Sequence, residues 1–233
     1  MALKYYFDLM SQPSRAIYIF LKANSIQFEP KPVALRKGEH LTNEFKMLNP
    51  WQKVPFLDDN GFILTESVAI LRYLSCKYNL PEHWYPRNDL LKQARIEEYL
   101  HWQHLNTRLQ AAMVFQQKLI LPVARQSKID QAKVDRFKAE LPKVISHIDT
   151  YFLKDDKYIG GDEVSVADLL GVCELMQLYP VYEEDLYLAN PRVKAWMERV
   201  RERLNPHFDE GNAIVYRTRE AYKKIGPSLG AKL

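Results

Sequence analysis

Ser11-Gln12-Pro13-Ser14-Arg15 stands between an apolar run, Leu3 to Leu9 (LKYYFDL), and the residues Ala16, Ile17, Ile19, Phe20 and Leu21, which recur at helical intervals up to Asn24. A hydroxyl therefore sits where a strand passes into a helix N-terminus. Free backbone N–H groups at such a corner favour an anion. Working outward, Ile26 to Val33 (IQFEPKPV) reads as a second strand, which completes a β-α-β unit. The segment Gly38 to Leu48 is short and poorly periodic. Val54-Pro55-Phe56-Leu57, the turn Asp58-Asp59-Asn60-Gly61 and Phe62-Ile63-Leu64 then read as a hairpin, because Asn and Gly both tolerate positive φ. Thr65 is placed to cap a helix from Glu66 to about Tyr78.

The order β-α-β followed by β-β-α over residues 1–80 is that of a thioredoxin-like domain. Redox members of that fold carry a Cys-x-x-Cys pair at the strand-to-helix corner, where the helix N-terminus stabilises a thiolate. Ser11, Gln12, Pro13 and Ser14 occupy those four positions without a sulfur, so disulfide exchange by the protein's own thiols is excluded there. The two cysteines, Cys76 and Cys173, lie far apart in helical patterns and read as buried or half-buried apolar residues.

Asn79-Leu80-Pro81-Glu82-His83-Trp84-Tyr85-Pro86 interrupts the periodicity with two prolines and reads as a linker. Beyond it the pattern is helical, at about 88–117, 128–153, 165–179, 191–204 and 209–224, with Pro142 expected to kink or divide the second of these. The expected organisation is a two-domain α+β/α protein: a thioredoxin-like domain over 1–80, a linker over 81–87 and an all-helical domain over 88–233. Ser165-Val166-Ala167-Asp168 has the form of a capping box flanked by the apolar staple Val164 and Leu169, a folding signal rather than a catalytic one.

Composition bounds the function. With 47% apolar and 27% charged residues the chain of 233 is that of a soluble globular protein, and it is long enough to bury a sizeable core. Net charge is +4, from 33 basic and 29 acidic residues interleaved along the chain, so nucleic acid is not expected as a partner. Arg217, Arg219, Lys223 and Lys224 read as a solvated helix face. No apolar run approaches membrane-spanning length, and no signal peptide is expected, because a strand begins at once. Few cysteines point to a reducing compartment, so the expected location is cytoplasmic. The final Ala231-Lys232-Leu233 is similar to a Ser-Lys-Leu peroxisomal address, the one competing location.

Several motifs together resemble the glutathione transferases, and among them the theta class, which places a serine at this corner. They are Ser-Gln-Pro-Ser-Arg at 11–15, Lys-Gly-Glu-His at 37–40, Lys-Val-Pro at 53–55, Leu-Thr-Glu-Ser-Val-Ala-Ile-Leu at 64–71, His-Trp-Tyr-Pro at 83–86 and Ser-Val-Ala-Asp-Leu at 165–169. The resemblance spans nearly the whole chain and is weakest at about 110–150 and after 205. It implies an enzyme that needs no resident cofactor or metal, uses glutathione as co-substrate, forms a homodimer and conjugates the tripeptide to hydrophobic electrophiles in detoxification. Halides, epoxides, hydroperoxides and sulfate esters are the implied substrates. Ser11 and Arg108 are the implied catalytic residues, and His40, Lys53, Val54, Pro55, Glu66 and Ser67 the implied glutathione site.

The chemistry of these residue types agrees, although each also has an ordinary structural reading. A free thiol titrates near about 8.5 and is mostly protonated at pH 7. A hydrogen bond to the charged sulfur contributes about 1.5–3 kcal/mol, and a helix N-terminus about 0.3–1 kcal/mol. At about 1.4 kcal/mol per unit these together lower the thiol by roughly one to three units. Ser11 would be the donor in that bond; by position alone it is an ordinary helix cap. Tyr6 is the rival donor, because other classes carry a catalytic tyrosine on the first strand, but a strand tyrosine is more often packing.

Val54-Pro55 matches the family's cis-proline position, where the Val54 backbone would pair with the cysteinyl unit in strand fashion. Ser67 would meet the γ-glutamyl carboxylate and Glu66 its ammonium; an acid in a first helical turn is also ordinary dipole complementation. His40 and Lys53 would meet the glycyl carboxylate, or be solvated surface groups. Arg108 would face the electrophile's leaving group or the thiolate, or form a salt bridge between helices. Trp102, Met113 and Phe115 would line an apolar pocket or be core. His101 and His104, at i and i+3 after Glu97, lack a second cluster to complete a metal shell. Two other classes compete with the transferase: a non-catalytic ligand- or protein-binding module on the same fold, and a thiol oxidoreductase, which the serine at position 11 disfavours.

Overall fold

Alternation defines the first strand: Leu3, Tyr5 and Phe7 of β1 (Leu3–Phe7) are buried on one face, and Lys4 and Tyr6 look to the other. A computed structural model describes residues 3–230. β1 ends two residues before the apolar run does, because Asp8 turns the chain. Its carboxylate accepts the N–H groups of Met10 and Leu35 at 2.8 and 3.1 Å, and its carbonyl accepts the Ser11 N–H at 2.9 Å.

Beside β1 lies β2 (Phe28–Pro32), parallel to it, and on the other side β3 (Phe56–Asp59) and β4 (Phe62–Leu64) run antiparallel, in the order β2-β1-β3-β4. Asn60 and Gly61 close the β3–β4 hairpin at φ 56° and 91°, the left-handed pair that the Asn-Gly reading requires. Helices α1 (Gln12–Ala23) and α3 (Ser67–Lys77) pack with the Tyr5 side of the sheet, and α2 (Asn43–Leu48) sends Phe45 against Phe56 on the Tyr6 side. Thr65 does not cap α3. Glu66 takes that position at φ 66° without a side-chain bond, so Thr65 stays outside the helix.

The remaining elements are helical: α4 (Leu90–Trp102), α5 (Leu109–Phe115), α6 (Leu121–Arg125), α7 (Gln131–His147), α8 (Val166–Leu175), α9 (Asp185–Leu188), α10 (Pro191–Leu204) and α11 (His207–Leu229). Three π turns, His104–Arg108, Gln116–Ile120 and Ile148–Leu153, interrupt or extend them. Pro142 lies inside α7 without dividing it. Leu141, Val144 and Ile145 around it are buried, and their packing, which includes α5, outweighs the one missing backbone bond.

All ten residues of α8 are buried. Ser165 and Asp168 form the expected capping box at its start, with Val164 and Leu169 both buried beside it. The Asp168 carboxylate also accepts the Ile159 N–H and the Trp196 indole N–H, each at 2.7 Å. Gly171 is where neighbours come closest: a β-carbon there would overlap the Tyr99 hydroxyl and lie 3.0 Å from the Trp196 ring.

One apolar core runs from Leu3 of the sheet to Tyr222 of α11, with α1 packed against α8 and α11, and Phe20 edge-on to Trp84 of the linker at 5.0 Å. Two further sequence readings change. Cys76 is exposed, since α3 buries the face of Ile70, Leu71 and Leu74 and Cys76 lies on the opposite one; Cys173 is buried, and burial raises its thiol to about 12. Arg219 is not solvated but stacked on Tyr179 and Tyr182, 4.2 and 3.8 Å from their ring centres, with Glu184 at 2.6 Å. Phe115 is buried, and Trp102 packs on Phe152 and Tyr99, so both belong to the core.

Candidate active site

Ser11 caps α1 by its backbone alone. Its φ and ψ are extended, its carbonyl accepts the Arg15 N–H at 3.0 Å, and its hydroxyl makes no capping bond. Pro13, which has no N–H, occupies the first turn of that helix. Among the described hydrogen bonds the hydroxyl of half-buried Ser11 has none, and it stands at a positive helix end. Tyr6, by contrast, stacks flat on Phe56 at 4.2 Å, within the cluster of Val33, Phe45 and Val54.

Behind the corner, Arg15 is fully buried. One terminal nitrogen donates to the Leu9 and Met10 carbonyls at 3.0 and 3.2 Å, the other to the Cys173 carbonyl at 3.0 Å and Gln177 Oε1 at 2.7 Å. All four acceptors are neutral, so no direct contact cancels the charge, and burial lowers the pKa of the guanidinium.

The structure places the other expected residues as follows. His40 is half-buried on a single turn, with Nδ1 unpartnered, and Lys53 is exposed. Gln52 Nε2 donates to the His40 carbonyl at 3.2 Å and Asn49 Nδ2 to the Lys53 carbonyl at 2.8 Å, which ties their loops together. Val54-Pro55 is cis, and among the described hydrogen bonds none uses the Val54 N–H or carbonyl. Glu66 is exposed and Ser67 buried at the start of α3.

Arg108 reaches Ser67 across the boundary between the two units, its Nη2 donating to Ser67 Oγ at 3.2 Å. Its Nε donates to Glu174 Oε1 at 2.7 Å, and its Nη1 lies 3.3 Å from His104 Nδ1. Burial raises the Glu174 carboxyl above its ordinary range, against the pull of Arg108, and burial followed by the Arg108 charge lowers the His104 imidazole. His101 instead meets Glu97 at 3.4 Å on the exposed side of α4, and among the described residues no group of three or more His, Cys, Asp or Glu side chains could hold a metal.

The sequence reading missed Glu174, Gln177 and the tie of His104 to Arg108. A signal for the first two was present: they are polar residues three apart in a segment, Leu169 to Leu178, that is otherwise apolar.

Residues 1–75 match the family described as "Glutathione S-transferase, N-terminal domain", and residues 111–203 "Glutathione S-transferase, C-terminal domain". Glutathione S-transferase theta-1 of Bos taurus is 40% identical over 235 residues, covering 100% of this chain and 96% of that protein. The chain belongs to the theta-class glutathione S-transferases.

This transferase also superposes on solved structures of that class. Human theta-2, in complex with glutathione and an unknown ligand, gives a TM-score of 0.90 at 38% identity, covering 95% of this chain and 90% of that one. The human theta-class enzyme in complex with the glutathione conjugate of 1-menaphthyl sulfate gives 0.90 at 39%, covering 96% and 91%. No helix among the transferase's described residues is long and apolar enough to cross a membrane. The expected address Ala231-Lys232-Leu233 lies outside the described residues.

Proposed function

We propose that the transferase ionises glutathione with Ser11 and directs the resulting sulfur at a small hydrophobic electrophile. The observation that carries this reading is the Ser11 hydroxyl, unused for capping at the positive end of α1. Donation from Ser11 to the sulfur, together with the helix N-terminus and the Arg15 charge behind Leu9 and Met10, favours thiolate over thiol. Ser11 acts as a donor, neither nucleophile nor base. The thiol proton passes to solvent water, the attacking electron pair is the sulfur's, and the leaving group departs with its bonding pair as the carbon–sulfur bond forms.

Around that sulfur, the unpaired Val54 backbone would take the cysteinyl unit as an added strand. Ser67 would hold the γ-glutamyl carboxylate at the N-terminus of α3, and Glu66 the ammonium. His40 and Lys53 would meet the glycyl carboxylate. Arg108 would add positive charge beside the γ-glutamyl site and toward the electrophile's leaving group. Among the electrophile classes, sulfate esters gain support from the human relative bound to the conjugate of 1-menaphthyl sulfate. Glutathione serves as co-substrate, with no resident cofactor. A homodimer would cover apolar side chains now exposed, among them Trp51, Phe62 and Leu105, and sedimentation of the purified protein at twice the monomer mass checks it.

Ultraviolet titration of glutathione bound to the enzyme tests the central step. The bound thiol is expected to ionise roughly one to three units below its free value, and to return toward that value in Ser11→Ala. A bound thiol still protonated at pH 7, or ionised equally without Ser11, overturns the reading.

A further inference from the structure

Arg108 reaches Ser67 through a local irregularity. Its backbone N–H donates to the carbonyl of Gln103, five residues back, at 2.9 Å, so the chain from His104 to Arg108 makes a π turn. The extra residue in the turn rotates everything after it relative to α4, and the Arg108 side chain then meets α8 on one side and α3 on the other.

The direction of each bond follows from the chemistry of the groups. A guanidinium has donors only. Ser67 Oγ must therefore accept from Arg108, and among the described hydrogen bonds the Ser67 hydroxyl proton is given to nothing. Glu174 holds the same guanidinium from the rear. Its carboxylate has no exposure at all; one oxygen takes Arg108 Nε at 2.7 Å and the other has no partner among the described residues. Burying a carboxylate six residues beyond the Asp168 capping box, in a stretch of α8 that is otherwise apolar, is costly, so a merely adhesive role there would be served better by another apolar residue.

We propose that Glu174 is a positioning residue for capture of glutathione. By holding Arg108 from behind, it makes Arg108 the donor to Ser67 and leaves the Ser67 hydroxyl proton to be given to the γ-glutamyl carboxylate. The relay runs Glu174 carboxylate, Arg108 guanidinium, Ser67 hydroxyl, ligand carboxylate, and it orders the site before the tripeptide arrives. Glu174 touches neither the tripeptide nor the sulfur, so its loss should appear in binding and not in ionisation of the thiol. The inference rests on the reading that Ser67 takes the γ-glutamyl carboxylate.

Fluorescence titration of the full-length enzyme with glutathione, followed by steady-state kinetics and the ultraviolet pKa of the bound thiol, tests it. Glu174→Ala is expected to weaken glutathione binding about tenfold, the usual scale for a group that orients a ligating side chain, and to raise KM for glutathione by a similar factor. The thiol pKa should stay near the parent value, because Glu174 touches neither Ser11 nor the sulfur. Glu174→Asp should recover part of the affinity, and with Arg108→Ala already in place Glu174→Ala should cost nothing further. Where Glu174→Ala does not fold, Glu174→Gln is read in the same cycle. Unchanged affinity in the Glu174 variants, or an equal loss with and without Arg108, overturns the proposal. Ser67→Ala separates the two readings: if it leaves glutathione binding intact, the Ser67 assignment itself fails; if it weakens binding while the Glu174 variants do not, only the role of Glu174 fails.

Discussion

Arg15, in the first turn of α1, donates to Gln177 Oε1 at 2.7 Å, which joins the corner that carries Ser11 to the end of the central helix of the second unit. The same guanidinium holds the carbonyls of Leu9, Met10 and Cys173, so one side chain sets the approach to Ser11 and locks the two units together. Glu174, one residue past Cys173, holds Arg108 against Ser67. α8 thus supports both the Ser11 corner and the start of α3 from behind.

Replacing Arg15 by Met should remove a buried cation and strand its acceptors. The expected loss is about 2–5 kcal/mol in urea unfolding, and Arg15→Lys should recover little, because an ammonium cannot span four acceptors in a planar fork. An unfolding midpoint like that of the parent would show that Arg15 does not hold the units together.

Ser11→Ala should lower the conjugation rate by about tenfold or more, the worth of a hydrogen bond to a charged acceptor. Tyr6→Phe should change it little, since the ring is already committed to Phe56. Kinetics with a panel of electrophiles ranks the two, and the opposite order would move the catalytic donor to Tyr6.

His104 gives a pH dependence of defined sign. Its folded-state pKa lies below the ordinary 6.5, so the unfolded chain takes up a proton first as pH falls. The stability it contributes is complete above about 6.5 and lost as pH drops from there through the folded value. Denaturation between pH 5 and 8 should show this slope in the parent and lose part of it in His104→Asn, and an NMR titration of the imidazole should give a midpoint under that of a free histidine.

Asp168→Ala should destabilise the enzyme by about 2–4 kcal/mol, because it leaves the Trp196 indole N–H and two backbone N–H groups buried without acceptors. Activity per folded molecule should be unaltered, as judged by active-site titration beside thermal unfolding. A selective fall in kcat would move the capping box from folding to catalysis.

The hairpin at Asn60-Gly61, the helix start at Ser165 and the serine corner were all legible in the chain because each is a local matter: a turn, a cap and a strand-to-helix junction depend on neighbours a few residues apart. Thr65, Cys76 and Arg219 were misread because local spacing does not say which side of a helix end or helix face meets another element. Glu66 took the cap, Cys76 fell on the open side of α3, and Arg219 met two tyrosines some forty residues away in the chain.

What the amino-acid order determined alone is the succession of elements and the identity of the groups at the corner and at the start of α3, since turn, cap and periodicity preferences act at short range. The tertiary structure alone decided that Arg15, Arg108, Glu174 and Gln177 share the boundary between the units. The π turn that rotates Arg108 leaves no periodic trace in one short helix, and the bonds from Glu174 to Arg108 and from Arg15 to Gln177 span 66 and 162 residues, so the partners become neighbours only once α8 has packed against α1.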